Sequence, residues 1–125
     1  MCYNSSMWEV EFTEEFETWW GTLDAEEQES VAASVGLVEQ LGPNLPRPHS
    51  DTVKGSKHSN MKELRTQHRG RPIRTFYAFD PRRMAILLIG GDKTGDDRFY
   101  KKMIPIADRL YDVHIAELRK EGLIK

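Results

Sequence analysis

Ile73-Arg74-Thr75-Phe76-Tyr77-Ala78-Phe79, then Asp80-Pro81-Arg82-Arg83, then Met84-Ala85-Ile86-Leu87-Leu88-Ile89-Gly90: this stretch decides the fold. Its first segment is dense in β-branched and aromatic residues, which fit a pleated, half-buried surface. The second has the Asp-Pro chemistry of a turn. The third is a near-continuous apolar run, as expected of a central strand covered on both faces. Upstream, Met61 to Thr66 forms a shorter, more polar strand, and His68-Arg69-Gly70-Arg71-Pro72 turns the chain between the two. Three strands in sequence make an antiparallel meander.

Working outward, Trp8-Glu9-Val10-Glu11-Phe12 alternates apolar and charged with period two, a strand with one buried face. Thr13 is placed to cap a helix in which Phe12, Phe16, Trp19, Trp20 and Leu23 recur at helical spacing, with Glu14 and Glu15 at the favourable end of its dipole. Asp24 with Glu27 three residues on forms a capping box. The helix it opens carries Val31, Val35, Val38 and Leu41 on one stripe and stops at Gly42-Pro43. Residues 43–60 show no periodicity and read as a long loop. Beyond the meander, Gly90 to Gly95 is a flexible exit, Asp97 to Met103 a short helix, and Pro105 opens a final helix with Ile106, Leu110, Ile115 and Leu118 inward. The expectation is an α+β domain: an antiparallel meander packed on one side against an N-terminal helical pair, with C-terminal helices. Residues 8–125 form one domain and residues 1–7 a flexible leader.

Composition narrows the class. The 125 residues hold 38% apolar and 30% charged side chains, ordinary for a globular chain with a single core. The only cysteine, Cys2, excludes an intrachain disulfide and a cysteine zinc site, and suits a reducing cytoplasm. The longest apolar stretch, Met84 to Ile89, is far short of the ~20 residues that cross a bilayer.

Charge is sorted along the chain beneath a net of -2. Residues 1–42 hold ten acidic side chains and no Lys or Arg, whereas residues 47–83 hold ten basic ones against Asp51, Glu63 and Asp80. A local surplus of seven is the footprint of a surface that meets a polyanion, or else of solvated strand-edge charges. Gly90 to Gly95 lacks the glycine spacing of a nucleotide loop, although Lys93 remains within reach of a phosphate. His49, His58, His68 and His114 have no metal-ligand spacing, so neither a metal nor a cofactor is expected. What remains is a basic sheet face: Lys62 and Arg65 on one strand, Arg74 on the next, Lys93 closing the third, Phe99 and Tyr100 one turn beyond. Arg74 shares its strand face with Phe76 and Ala78, so it calls for an anion or a carboxylate partner, which the glutamates of the acidic helices offer as an alternative.

The segments Lys62-Glu63-Leu64-Arg65, Arg71-Pro72-Ile73-Arg74-Thr75-Phe76-Tyr77-Ala78-Phe79 and Ala85 to Lys93 resemble the RelE/HigB toxins, in particular the phage-derived Gp49-like branch. Phe99-Tyr100 followed by Ile104-Pro105 extends the likeness, which covers Trp8 to Ile115. The resemblance implies a RelE-like fold and a metal-independent, ribosome-dependent mRNA endoribonuclease of a type II toxin–antitoxin system. Its partners would be the ribosome, mRNA and a HigA-like helix-turn-helix antitoxin. It also implies roles: Arg74, Lys93 and Tyr100 catalytic; Lys57, Lys62, Arg65, His68 and Phe99 in contact with RNA. Two departures stand out. Such toxins are basic overall, and no residue besides a histidine, His68 on the hairpin tip, offers itself as a general base. A toxin of this fold that poisons a protein such as DNA gyrase is the alternative.

Overall fold

The computed structural model describes residues 7–125, so all of the expected leader but Met7 lies outside the described residues. The elements run β1 (Val10–Phe12), α1 (Glu14–Trp20), α2 (Ala25–Leu41), a 3-10 turn (Gly42–Asn44), β2 (Ser50–Thr52), β3 (Lys62–His68), β4 (Arg71–Phe79), β5 (Ala85–Asp92) and α3 (Phe99–Lys120). The expected caps are in place. Thr13 Oγ1 accepts from Phe16 N at 2.9 Å, and Asp24 and Glu27 exchange two hydrogen bonds of 2.8 Å each.

The architecture is α+β, with a five-stranded sheet in the order β1-β5-β4-β3-β2. Strands β2 to β5 form an antiparallel meander, but β1 pairs parallel to β5, so the sheet is mixed. The extra strand β2 comes from the segment expected to be loop. Its Ser50, Asp51 and Thr52 pair with Leu64, Glu63 and Lys62. Three residues are too few to carry a periodic signal of their own, and β2 exists because β3 offers it an open edge.

Helices cover both faces rather than one. On one face Phe16 of α1 and Val38 of α2 pack with Leu64, Tyr77, Ala85 and Leu87. On the other, Phe99, Ala107, Leu110 and Tyr111 of α3 pack with Phe76, Ala78, Ile86 and Leu88. That explains the near-continuous apolar run of β5, which is buried on both sides. The C-terminal region is one helix, not two. Pro105 lies inside α3, where its missing N–H leaves the carbonyl of Lys101 without its helical donor. Lys101 is exposed, so the missing bond falls at a solvent-facing turn of the helix.

Gly90 and Gly91 belong to β5 and are not a flexible exit. A register shift between Phe76 and Tyr77 of β4 sets Gly91 opposite Arg74. A Cβ on Gly90 would lie 2.3 Å from Cζ3 of Trp19, and one on Gly91 would lie 2.9 Å from Cε1 of Phe99. The two glycines let an aromatic ring onto the strand from each side. No helix among the described residues is long and apolar enough to cross a membrane.

Candidate active site

Strand alternation builds the site. Arg65 and Arg74 are direct cross-strand partners on the α3 face of the sheet, an arrangement of like charges that is unfavourable without a counter-ion. Glu63, two residues before Arg65 and so on the same face, supplies it. Its Oε2 accepts from Nε and Nη2 of Arg65 at 3.2 and 3.0 Å, and its Oε1 lies 3.6 Å from Nε of Arg74. Asp51 on β2 sits opposite Glu63 and takes a second contact from Arg65 Nη2 at 3.3 Å.

Tyr100, in the first turn of α3, completes the cluster. Its hydroxyl donates to Glu63 Oε1 at 2.6 Å and accepts a longer contact from Arg74 Nε at 3.4 Å. Burial first, and then the Glu63 carboxylate, push the phenol above its usual value, against the opposing pull of Arg74. At neutral pH the hydroxyl is therefore a proton donor. Lys93 closes the group from the end of β5, with Nζ 5.1 Å from the centre of the Tyr100 ring. A cleft of about 400 Å³ opens beside these residues, lined by Asp51, Thr52, Val53, Lys54, Glu63, Arg65 and Tyr100. Counting Lys54, Arg65, Arg74 and Lys93 against Asp51 and Glu63 leaves the site two positive charges in surplus.

Thus Arg65, Arg74, Lys93 and Tyr100 come together. The glutamate partner of Arg74 comes from β3, not from the acidic helices. Four other expected contacts do not join them. His68 is buried, not exposed: it ends β3 on the opposite face, with Nδ1 2.7 Å from Ser30 Oγ of α2. Phe99 is buried under Gly91, its ring 6.0 Å from that of Phe76, so it supports Tyr100 from the core and is closed to a base. Lys62 pairs across the strands with Tyr77 and so belongs to the α1–α2 face. Lys57 ion-pairs with Asp112, twelve residues along α3 from Tyr100 and thus about 18 Å from it along the helix axis.

Much of the basic surplus is also spent internally. Arg69 binds Glu26, Arg71 binds Glu27, and Arg82 binds Glu11 and Asp80, so the two charge-sorted halves of the chain hold each other. Glu63 is the functional candidate that sequence reasoning missed. Period-two alternation through Lys62-Glu63-Leu64-Arg65 already put it beside Arg65, and that signal was sufficient to find it.

The model of the family described as phage derived protein Gp49-like (DUF891) matches residues 18–112, a span that includes every residue of the cluster. HigB3 of Mycobacterium tuberculosis, named as a candidate toxin, is 48% identical over 94 residues, covering 74% of this chain and 81% of that protein. HigB2 of the same organism, likewise named, is 42% identical over 106 residues, covering 83% of this chain. The chain spans 53% of the length of HigB2, about half. Among solved structures, a double arginine-to-alanine mutant of the Escherichia coli toxin RelE in the free state superposes with a TM-score of 0.53. It covers 74% of this chain and 90% of its own at 13% identity, a likeness of fold.

Proposed function

The chain belongs to the phage-derived Gp49-like family of HigB/RelE-type toxins, and on that premise we propose that it cleaves mRNA on the ribosome. It would do so in the cytoplasm, held in check by a HigA-like helix-turn-helix antitoxin. The observation that carries the reading is the convergence of Arg65, Arg74 and Lys93 on the hydrogen-bonded Glu63–Tyr100 pair.

The chemistry follows from those groups. The RNA 2′-hydroxyl attacks phosphorus, the 2′-oxygen–phosphorus bond forms, and the bond from phosphorus to the 5′-oxygen breaks. Charge grows on the nonbridging oxygens, where the planar guanidinium groups of Arg65 and Arg74 stabilise it. Glu63 takes the proton of the 2′-hydroxyl, and Tyr100 gives its own to the departing 5′-oxygen. The 2.6 Å hydrogen bond between the two then returns a proton from Glu63 to Tyr100, restoring both groups. Glu63 answers the lack of a general base in the sequence, and no metal enters the scheme. In the free chain Glu63 occupies the place between the arginines that a phosphate would take.

Primer extension on an mRNA under translation tests this. The intact chain produces discrete cuts, and Arg74→Ala reduces their rate by about 10²–10³, the effect of deleting one donor to a transition-state oxyanion. Cuts of undiminished rate in the mutant would remove Arg74 from the reaction. Inhibition of supercoiling without any cut would select the gyrase-poison alternative.

A further inference from the structure

A second surface lies on the other face of the sheet, away from the cleft. Between α1, α2 and the β1 edge is a groove of about 460 Å³ whose walls include Val10, Phe12, Trp20 and Val35, with Glu17 and Glu39 on its lining. Phe12 is 54% exposed there, the side chain most costly to leave against water. β1 ends the sheet on this side. The lining contains no basic residue, and residues 1–42, which supply all of it but Leu87, contain no Lys or Arg.

From this combination we infer that the groove receives an amphipathic helix of the antitoxin, apolar on one face and flanked by Lys and Arg. This rests on the toxin reading above for the identity of the partner. Helix-in-groove docking needs an apolar floor for anchors spaced three and four residues apart, and β1, α1 and α2 provide one. The acidic rim decides the charge of the guest. A second copy of this chain would bring Glu17 and Glu39 against the same residues across a two-fold axis, like charge against like. Residues 1–6 contain no Lys or Arg to complement the rim. The antitoxin thus anchors behind the sheet, and Arg65, Arg74 and Tyr100 stay uncovered by that anchor.

The test uses the full chain and a synthetic amphipathic peptide of about 18 residues, with Leu on one face and Lys and Arg elsewhere, compared with the same peptide carrying Glu in place of every cation. Amide and indole NMR shifts report the contact. The expected result is saturable shifts at Val10, Phe12, Val35 and the Trp20 indole for the basic peptide. Binding falls about tenfold or more for the acidic peptide and for Glu17→Lys/Glu39→Lys, and by a similar factor for Phe12→Asp or Val35→Glu. Shifts confined to the Arg65–Arg74 face, equal binding of the acidic peptide, or no binding of either would overturn the inference. Self-association of the chain that Phe12→Asp abolishes would overturn it too, in favour of a second copy. mRNA cleavage by Phe12→Asp, measured alongside, is expected to match the unmodified chain. If the unmodified chain makes no cuts, the ribonuclease reading fails while the groove result stands by itself.

Discussion

Substituting Glu63→Gln should move RNA binding and RNA cleavage in opposite directions. Glu63 is 5% exposed and is shared by Arg65, Arg74 and Tyr100. Gln keeps an oxygen for the Tyr100 hydroxyl but removes the charge that neutralises two guanidiniums. The site surplus then rises from two positive charges to three. Freed of their internal partner, the arginines bind phosphate more tightly, and the slope of log K against log salt steepens by about 0.7 for each further phosphate engaged on a single strand. The proton acceptor is lost at the same time, at a cost of about 10²–10⁴ in rate. Stability falls as well. Arg74, whose side chain is only 12% exposed, loses its carboxylate, but Arg65 retains Asp51, so the cost should sit at or below the roughly 3–5 kcal/mol of a broken buried pair. Binding is measured on an oligonucleotide carrying a 2′-deoxy sugar at the scissile position, cleavage by primer extension on an mRNA under translation, and folding by urea titration. Wild-type cleavage in the mutant would refute the proton-acceptor role. Weaker RNA binding would refute the idea that Glu63 holds the phosphate position.

Tyr100→Phe removes the proton donor and leaves Glu63 short of a charge-assisted hydrogen bond, so cleavage should fall by about 10²–10⁴ and stability by about 1.5–3 kcal/mol. Because the Tyr100 phenol is held above its usual value, the alkaline limb of the cleavage–pH profile should lie above the ordinary tyrosine range, and cleavage rates measured in buffers of rising pH would detect it. His68→Ala should leave cleavage and its salt slope unchanged while lowering stability, since the ring packs against α2 and not the cleft. Asp80 sits fully buried at the turn before β5. Burial disfavours its charge, but hydrogen bonds from Arg82 and His114 outweigh that and hold the carboxyl below its usual range. The stabilisation it gives is therefore complete above the unfolded carboxyl pKa of about 4 and is lost as pH falls through the lower folded value. Asp80→Asn should lower stability near neutrality by about 3–5 kcal/mol and flatten its acid dependence in denaturant titrations. Gly90→Ala should cost about 1–3 kcal/mol, because the new Cβ meets the Trp19 ring.

The central hairpin was legible because its residues are local: an aromatic, β-branched strand, an Asp-Pro turn and an apolar run need no distant partner to be recognised. The caps at Thr13 and Asp24 were legible for the same reason. Which helices cover which face was not. Alternation assigns Arg74 and Phe76 to one side and Tyr77 to the other, but nothing local says that α3 takes the first and α1 with α2 the second. The parallel docking of Val10–Phe12 on β5 is likewise a contact across some 75 residues, invisible to any window. Within the site, Arg65, Arg74, Lys93 and Tyr100 came from motif order and do converge. Phe99 and His68 misled because an aromatic or a histidine beside a cation looks the same in sequence whether it faces solvent or the core. Glu63 was overlooked because an acidic residue in a basic segment reads as incidental, whereas the pairing of Arg65 with Arg74 makes it necessary.

The chemistry of the cut ends tests the central claim most directly. With purified ribosomes translating a defined mRNA, the expected products are a 2′,3′-cyclic phosphate on the upstream fragment and a 5′-hydroxyl on the downstream one, both formed about 10²–10³ more slowly by Arg74→Ala. A 5′-phosphate on the downstream fragment, or efficient cutting of an mRNA with a 2′-deoxy sugar at the scissile position, would contradict it.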